Sequence, residues 1–239
     1  KNIAATPKVA MLTGDQTSSL AAGEVWHYFD KILDYPITLL NAADVARYNL
    51  KNYDVLIIPD GNYRVLNDKS VSDKMKDYVR GGGKIVALEN AMATMSRGDW
   101  GIKLKEGKGD DKADSVKKYA DREKDYLTNS IPGAIFKVEL DNTHPLGFGY
   151  PDFYYTLKQD GNVYEFMKDG WNVGTIKKDA YVTGFVGAKL KPNIKEGMLF
   201  GVQDMGAGTV VYIAEDPLFR NFWENGYLLI ANAVFLAGK

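Results

Sequence analysis

Short apolar runs alternate with helix-like segments through the first ninety residues, and this alternation constrains the fold more than any other feature. The four runs cover residues 8–13, 37–40, 54–58 and 84–88. Apolar side chains recur at helical spacing after the first and third runs. Strands that alternate with helices indicate a parallel sheet with helices on both faces. The sequence therefore predicts an α/β protein.

The second half of the chain has a different pattern. β-type runs at 134–140, 153–157 and 181–185 are separated by turn sequences, which favours antiparallel strands added to the parallel sheet. A last strand near 208–214 is followed by a predicted helix from about Asn221 to Leu236. We expect a single domain over residues 1–239, with a charged, Gly-rich surface insertion at about 96–130.

Composition excludes several functions. The chain has 30 Lys and Arg against 31 Asp and Glu, so no charge excess favours nucleic acid or an anionic membrane. Its longest apolar stretches are too short to span a bilayer. The absence of cysteine rules out disulfides, thiolate metal sites and cysteine catalysis, and two histidines cannot form a three-histidine zinc site. We expect neither a metal nor a cofactor. The N-terminal residues resemble neither a signal peptide nor a start, which suggests a fragment.

Acidic residues follow several of the predicted strands. Because the carboxyl ends of parallel strands meet at one edge, Asp15, Asp60, Glu89 and the pair at 215–216 are expected to gather there. One interpretation is a cation site or a polar pocket for sugar or peptide groups. The other is structural, with Asp15, Asp60 and Asp216 capping turns and helices. His144, in a turn, is expected to anchor that turn rather than to transfer protons.

Two segments of the first half resemble the class I glutamine amidotransferase-like fold, a flavodoxin-like three-layer sandwich. Residues 56–61 are similar to the strand that leads into the oxyanion loop of that superfamily, and residues 78–90 to its glycine turn, strand and nucleophile elbow. Glu89 stands where those enzymes carry the catalytic cysteine. Ala214, Glu215 and Asp216 replace the region of the catalytic histidine. The resemblance therefore implies the fold without amidotransferase activity.

A narrower resemblance covers the second half. Residues 131–135, 141–149 and 216–223 are similar to the C-terminal domain of secreted bacterial zinc carboxypeptidase-like proteins. This resemblance implies an upstream peptidase domain in the same polypeptide and a secreted or periplasmic location. It also implies that any zinc ligands lie outside this chain.

The leading hypothesis is a non-catalytic accessory or ligand-binding domain that binds a peptide or carbohydrate at the strand ends. A rival hypothesis is a hydrolase in which Glu89 is the general base, supported by His144 or Glu215. A third is a carbohydrate-binding module with a flat Tyr and Trp platform. The only catalytic candidate is Glu89, and the ligand-binding candidates are Asp15, Asp60, Gly61, Asn62, Glu89, Asn90, His144, Glu215, Asp216 and Arg220.

Overall fold

The computed structural model describes residues 6–107 and 118–238, and its strands form one mixed sheet. The strands are β1 (Val9–Thr13), β2 (Ile37–Asn41), β3 (Val55–Ile58), β4 (Lys84–Leu88), β5 (Gly133–Leu140), β6 (Phe153–Lys158), β7 (Trp171–Phe185), β8 (Gly197–Met205) and β9 (Gly208–Ile213). Their order across the sheet is β2-β1-β3-β4-β9-β8-β7-β5-β6.

The first five strands of that order are parallel. Every residue of β3 and β9 is buried, as expected for strands covered on both faces. The chain moves from β1 outward to β2 and then from β3 the opposite way to β4. Because such crossovers are right-handed, the two directions place their helices on opposite faces of the sheet. The result is a three-layer α/β sandwich, and the predicted fold class is confirmed.

The helices are α1 (Ser19–His27), which continues as a π-helical turn to Ile32, α2 (Lys69–Arg80), α3 (Asn90–Met95), α4 (Arg122–Thr128) and α5 (Tyr227–Ala231), which continues as a π-helical turn to Leu236. The Ser18 hydroxyl caps α1. The Tyr28 hydroxyl donates to the Tyr227 carbonyl at 2.7 Å, which joins α1 and α5 in one layer. Helix α2 contacts β4, β8 and β9. Its buried residues Val71, Met75, Tyr78 and Val79 are those that the helical spacing predicts.

The other four strands are antiparallel. Strand β9 returns along β8 through a tight turn at Gly206, which has a φ of 63°. Strand β8 is not among the predicted strands. Its first six residues are all buried, so they lack the alternation of a half-exposed strand, and Gly201 interrupts the apolar run. A side chain on Gly174 would overlap the ring of Phe200, so this glycine lets β7 and β8 approach closely.

The predicted helix from Asn221 is wrong at its start, because α5 begins only at Tyr227. Residues 219–226 instead form two short 3₁₀ turns. Arg220 and Asn221 have φ values of 50° and 55°, which no right-handed helix contains. A side chain on Gly226 would overlap the Pro217 carbonyl, so this segment folds back on itself before the helix begins.

Part of the predicted insertion lies outside the described residues, namely 108–117. At its start Trp100 and Ile102 are buried, and the Tyr212 hydroxyl lies 3.0 Å from the Trp100 carbonyl oxygen. At its end α4 has no buried residue. Within residues 6–107 and 118–238, no helix has both the length and the apolar character needed to cross a lipid bilayer.

Candidate functional site

An open groove lies where the strand order reverses, between the ends of β1 and β3. The two loops are hydrogen-bonded, with the Ser18 N–H donating to the Asp60 carbonyl and the Asn62 N–H to the Gln16 carbonyl, both at 2.8 Å. A side chain on Gly61 would overlap the Gln16 carbonyl, so only glycine allows this approach. Ligands of open α/β sheets bind at such reversals.

This groove measures about 500 Å³ and is lined mainly by polar side chains. Five of the predicted ligand-binding residues line it, namely Asp15, Asp60, Gly61, Asn62 and Asn90. Arg97 adds a positive charge at its wall. Hollows of about 600 and 620 Å³ lie elsewhere and contain none of the predicted residues. The structure therefore brings half of the predicted set into one groove.

Glu89 occupies a sharp corner between β4 and α3, with φ of 46° and ψ of −119°. Residues other than glycine rarely adopt this backbone conformation. It costs about 1–3 kcal/mol and persists only where the surrounding structure enforces it. The Glu89 N–H donates to the Ile213 carbonyl at 2.8 Å, and α3 packs beneath the corner through buried Met92 and Met95. The geometry of a nucleophile elbow is therefore present, with a carboxyl group as its side chain.

The charges of four other acids act on the Glu89 carboxyl group. Burial raises the pKa of Glu89 well above its ordinary value, and the charges of Asp216, Asp60, Glu215 and Glu24 raise it further. Burial likewise raises the pKa of Asp216 to about 7, with the charge of Glu24 adding to it. Glu24, Asp60, Glu89 and Asp216 are called the carboxyl cluster below.

Three members of the carboxyl cluster accept backbone hydrogen bonds. Asp60 accepts from the Asn90 N–H at 3.2 Å, and Asp216 accepts from the Leu218 N–H at 2.9 Å. These contacts match the capping roles that the sequence suggests for Asp60 and Asp216. Glu24, on α1, accepts from the Arg220 N–H at 2.8 Å. No local sequence signal marks Glu24, because the loop that meets it is almost two hundred residues away.

Arg220 contributes to this region through its backbone. Its guanidinium group is exposed and lies 5.2 Å from the centre of the Phe219 ring. The predicted role of the Arg220 side chain in ligand binding stays a prediction.

Glu215 faces a different environment from its neighbour Asp216. It is buried against the Lys158 ammonium group, which also contacts the Asn162 carbonyl at 2.8 Å and the Asp160 carboxylate at 3.5 Å. Burial acts to lower the pKa of Lys158, but the charges of Glu215 and Asp160 outweigh burial and raise it. Lys158 is absent from the predicted set, although its alternation with buried Tyr154 and Thr156 along β6 marks it as inward-facing.

His144 is far from Glu89 in the topology. It follows β5, which runs opposite to the parallel strands, so the end of β5 lies at the other edge of the sheet. The His144 Nδ1 accepts from the Leu146 N–H at 3.0 Å, and burial lowers the pKa of the ring. His144 thus anchors its turn. His144, at the other edge of the sheet, does not support Glu89 as a base. Glu215 is paired with Lys158, and its support of Glu89 stays a prediction.

The aromatic side chains on the outer face of β6 do not form a flat platform. The Phe153 and Tyr155 rings lie 5.4 Å apart at 64°, an edge-to-face arrangement. Trp171 is exposed but tilts at 47° to the His144 ring. Two rings at such angles cannot both stack on one planar sugar face.

In the described part of the chain, no three His, Asp or Glu side chains come together in a geometry that would hold a metal ion.

Neither a protein-family model nor a curated protein matches this sequence. Solved structures do match. A ThuA-like protein from Bacteroides uniformis is 17% identical over 98% of this chain and 92% of its own, with a TM-score of 0.57. A glutamine amidotransferase from Thermotoga maritima is 10% identical over 95% of this chain and 90% of its own, with a TM-score of 0.55.

The chain has the class I glutamine amidotransferase-like fold. This fold also forms part of larger proteins: β-galactosidase from Bacillus circulans sp. alkalophilus matches 95% of this chain with 30% of its own, at 15% identity and a TM-score of 0.55. Identities this low establish the amidotransferase-like fold alone. The comparisons give no support to the carboxypeptidase resemblance.

Proposed function

We propose that this amidotransferase-like domain is a non-catalytic, ligand-binding accessory domain of a larger secreted or periplasmic carboxypeptidase-like protein. The observation that carries the proposal is Glu89, which holds the nucleophile-elbow conformation among other carboxyl groups. A carboxylate cannot replace a thiolate in amide transfer. The chain has no cysteine, and its turn histidine, His144, lies at the opposite edge of the sheet.

The groove beside Glu89 supports the binding part of the proposal. It presents carboxylate, amide and hydroxyl groups from Asp15, Asp60, Asn62, Asn90 and Thr94 at the reversal of the strand order. Such groups match the hydrogen-bonding needs of peptides and carbohydrates. The β-galactosidase match supports the accessory part, since there the shared fold makes up 30% of an enzyme chain.

The decisive experiment measures turnover and binding separately on the purified chain. Hydrolysis of glutamine, ester, peptide and glycoside substrates by the wild-type chain is compared with hydrolysis by the Glu89→Ala variant. Binding of peptides and oligosaccharides to the wild-type chain is followed by calorimetry. We expect the wild-type chain to show no more turnover than the variant and to bind at least one of the two ligand classes. Turnover that Glu89→Ala abolishes would refute the non-catalytic assignment.

The peptidase parent needs its own test. We expect the coding sequence upstream of this chain to encode zinc ligands, and the joined polypeptide to cleave peptides with a lower KM than the peptidase domain alone. An upstream sequence without zinc ligands would contradict the proposed peptidase parent. It would not affect the proposal that this domain binds a ligand.

A hydrolase with paired carboxyl groups is the second candidate. The charge of Asp216 raises the pKa of Glu89, and two carboxyl groups that share a proton divide acid and base roles in several enzymes. This candidate requires a bell-shaped pH-rate profile that both Glu89→Gln and Asp216→Asn abolish. A flat profile at background level excludes it.

A further inference from the structure

The outward face of helix α1 is apolar. The inner face of this helix is buried in the core through Ala21 and Val25. On the opposite side, Leu20 is 79% exposed and Trp26 is 43% exposed. Glu24 is the only Asp, Glu, Lys or Arg in the helix, and its carboxylate accepts from a backbone N–H. A surface helix normally turns charged side chains outward, so a helix that is apolar on both faces is typical of a protein interface.

Gly23 lies between the two exposed apolar residues. Leu20, Gly23 and Trp26 follow one another at three-residue spacing, which makes them neighbours along one side of the helix. A side chain added at Gly23 would meet no atom within 4 Å, so no packing contact inside the described chain requires glycine here. Glycine is less stable than alanine in a helix. Gly23 leaves a notch into which an apolar side chain of another molecule fits.

The segment beside α1 extends this face. Residues 219–221 contact α1, and the Arg220 N–H donates to the Glu24 carboxylate at 2.8 Å. Phe222, which follows them, is 61% exposed. Exposed Arg220 and Glu224 flank Phe222 in sequence, and neither takes part in the ion pairs of residues 6–107 and 118–238. These exposed residues are called the α1 face below: Leu20, Gly23, Trp26, Arg220, Phe222 and Glu224.

The α1 face is complementary to itself in shape and in charge. When two α1 helices cross antiparallel at Gly23, Leu20 of each copy lies beside Trp26 of the other, because both residues are three positions from the crossing point. Arg220 and Glu224 carry opposite charges and can pair between copies in the same reciprocal way. A two-fold interface requires this reciprocity, since each residue that contacts a second one is contacted by its counterpart. The occupant that fits the α1 face is therefore a second copy of this chain.

We propose that the α1 face is the contact surface of a two-fold dimer of this chain. Leu20 and Trp26 of each copy pack around Gly23 of the other, and Arg220 pairs with Glu224 at the margin. Aromatic and Arg side chains are enriched at the centres of protein interfaces, which agrees with this composition. The proposal goes beyond the proposed function, because it requires neither ligand binding nor turnover.

The test is sedimentation velocity of the whole chain between about 1 and about 200 µM, the range in which a weak dimer forms and dissociates. We expect the sedimentation coefficient to rise from a monomer value to a dimer value over this range. Gly23→Gln is the sharpest variant, because its two expected effects differ in sign. The thermal midpoint should stay equal or rise, since Gln is the better helix former. The dimer Kd should rise at least about tenfold, since the side chain fills the notch.

Matched variants assign the surface. Phe222→Ser is expected to raise the dimer Kd about tenfold. Phe166→Ser is the control, because Phe166 is 52% exposed and lines a separate hollow with Gly101 and Gln203, and it should have no effect. Glu224→Arg places like charges together and should weaken the dimer. Adding Arg220→Glu restores the original pair of charges, so the double variant should return to within about threefold of the wild-type Kd.

Three results would overturn the proposal. The first is a chain that stays monomeric at about 200 µM. The second is a Gly23→Gln variant that dimerises as tightly as the wild type, and the third is an equal effect of Phe222→Ser and Phe166→Ser. If the chain is monomeric but Gly23→Gln weakens its binding to the peptidase domain of the proposed parent, that domain is the occupant and the dimer is wrong. None of these measurements uses a ligand of the groove, so the dimer can fail while the proposed function stands.

Discussion

Glu215 and Asp216 are neighbours in sequence at the end of β9, yet the structure gives their carboxyl groups different partners. Glu215 is 4% exposed and packs against Lys158, which β6 brings from the far end of the sheet. The charge of Glu24 acts on Asp216, which in turn acts on Glu89, and within residues 6–107 and 118–238 Asp216 forms no ion pair. One carboxyl group has a cation as its partner, although burial still raises its pKa to about 8, and the other is held among like charges.

This difference teaches which carboxyl groups stabilise the fold and which cost stability. A buried pair that satisfies its own charges ties the antiparallel strands to the parallel ones, and removing one partner leaves an expensive buried charge. Acids without a counter-charge repel one another and lower the stability of the fold, and groups with such raised pKa values cluster at functional sites. The comparison therefore separates a structural contact, at Glu215, from a candidate site at the adjacent residue, Asp216.

The largest expected effect tests the structural side. Lys158→Met leaves Glu215 buried without its partner, and we expect the free energy of unfolding in urea at pH 7 to fall by about 3–5 kcal/mol. Adding Glu215→Leu to the same chain should recover most of the loss, because an apolar pair replaces the ionic one. A loss below about 1 kcal/mol in the single variant would show that this pair does not hold the two halves together.

A smaller effect of opposite sign tests the carboxyl cluster. Asp216 keeps its proton up to a pKa of about 7 when folded, whereas the unfolded chain releases that proton near its ordinary value of 3.8. Between these values the folded state binds more protons, so the free energy of unfolding falls as pH rises. Asp216→Asn keeps the acceptor for the Leu218 N–H and removes the titration. We expect it to match the wild type near pH 4 and to exceed it by about 2 kcal/mol at pH 8. Parallel pH profiles of the variant and the wild type would contradict the raised pKa of Asp216 in the folded protein.

The smallest expected effect tests the hydroxyl of Tyr154. Tyr154→Phe removes a buried hydroxyl beside the Trp223 side chain, and we expect the free energy of unfolding to change by less than about 1.5 kcal/mol. The variant should keep the pH profile of the wild type, because the carboxyl group that titrates is that of Asp216. A loss as large as that of Lys158→Met would place this hydroxyl among the contacts that join the two halves of the sheet.

The strand pattern could be predicted where periodicity was strong. Strands β1 to β4 and the buried face of α2 follow from apolar runs and helical spacing, and the gathering of acids at one edge follows from parallel strands. The predictions were wrong or incomplete where contacts between segments distant in sequence determine the local structure. Helix α5 starts late because Gly226 packs on Pro217, and His144 lies at the opposite edge because β5 is antiparallel.

The amino-acid sequence by itself determined the parallel α/β core, the carboxyl group at the elbow of Glu89 and the loss of any thiol chemistry. Only the tertiary structure decided which acids are neutralised. Alternation along β6 directs Lys158 inward but does not name its partner, and nothing local in α1 predicts that Glu24 meets Asp216. Electrostatic energy depends on distance and burial, and both are set by how segments separated by up to 196 residues pack together.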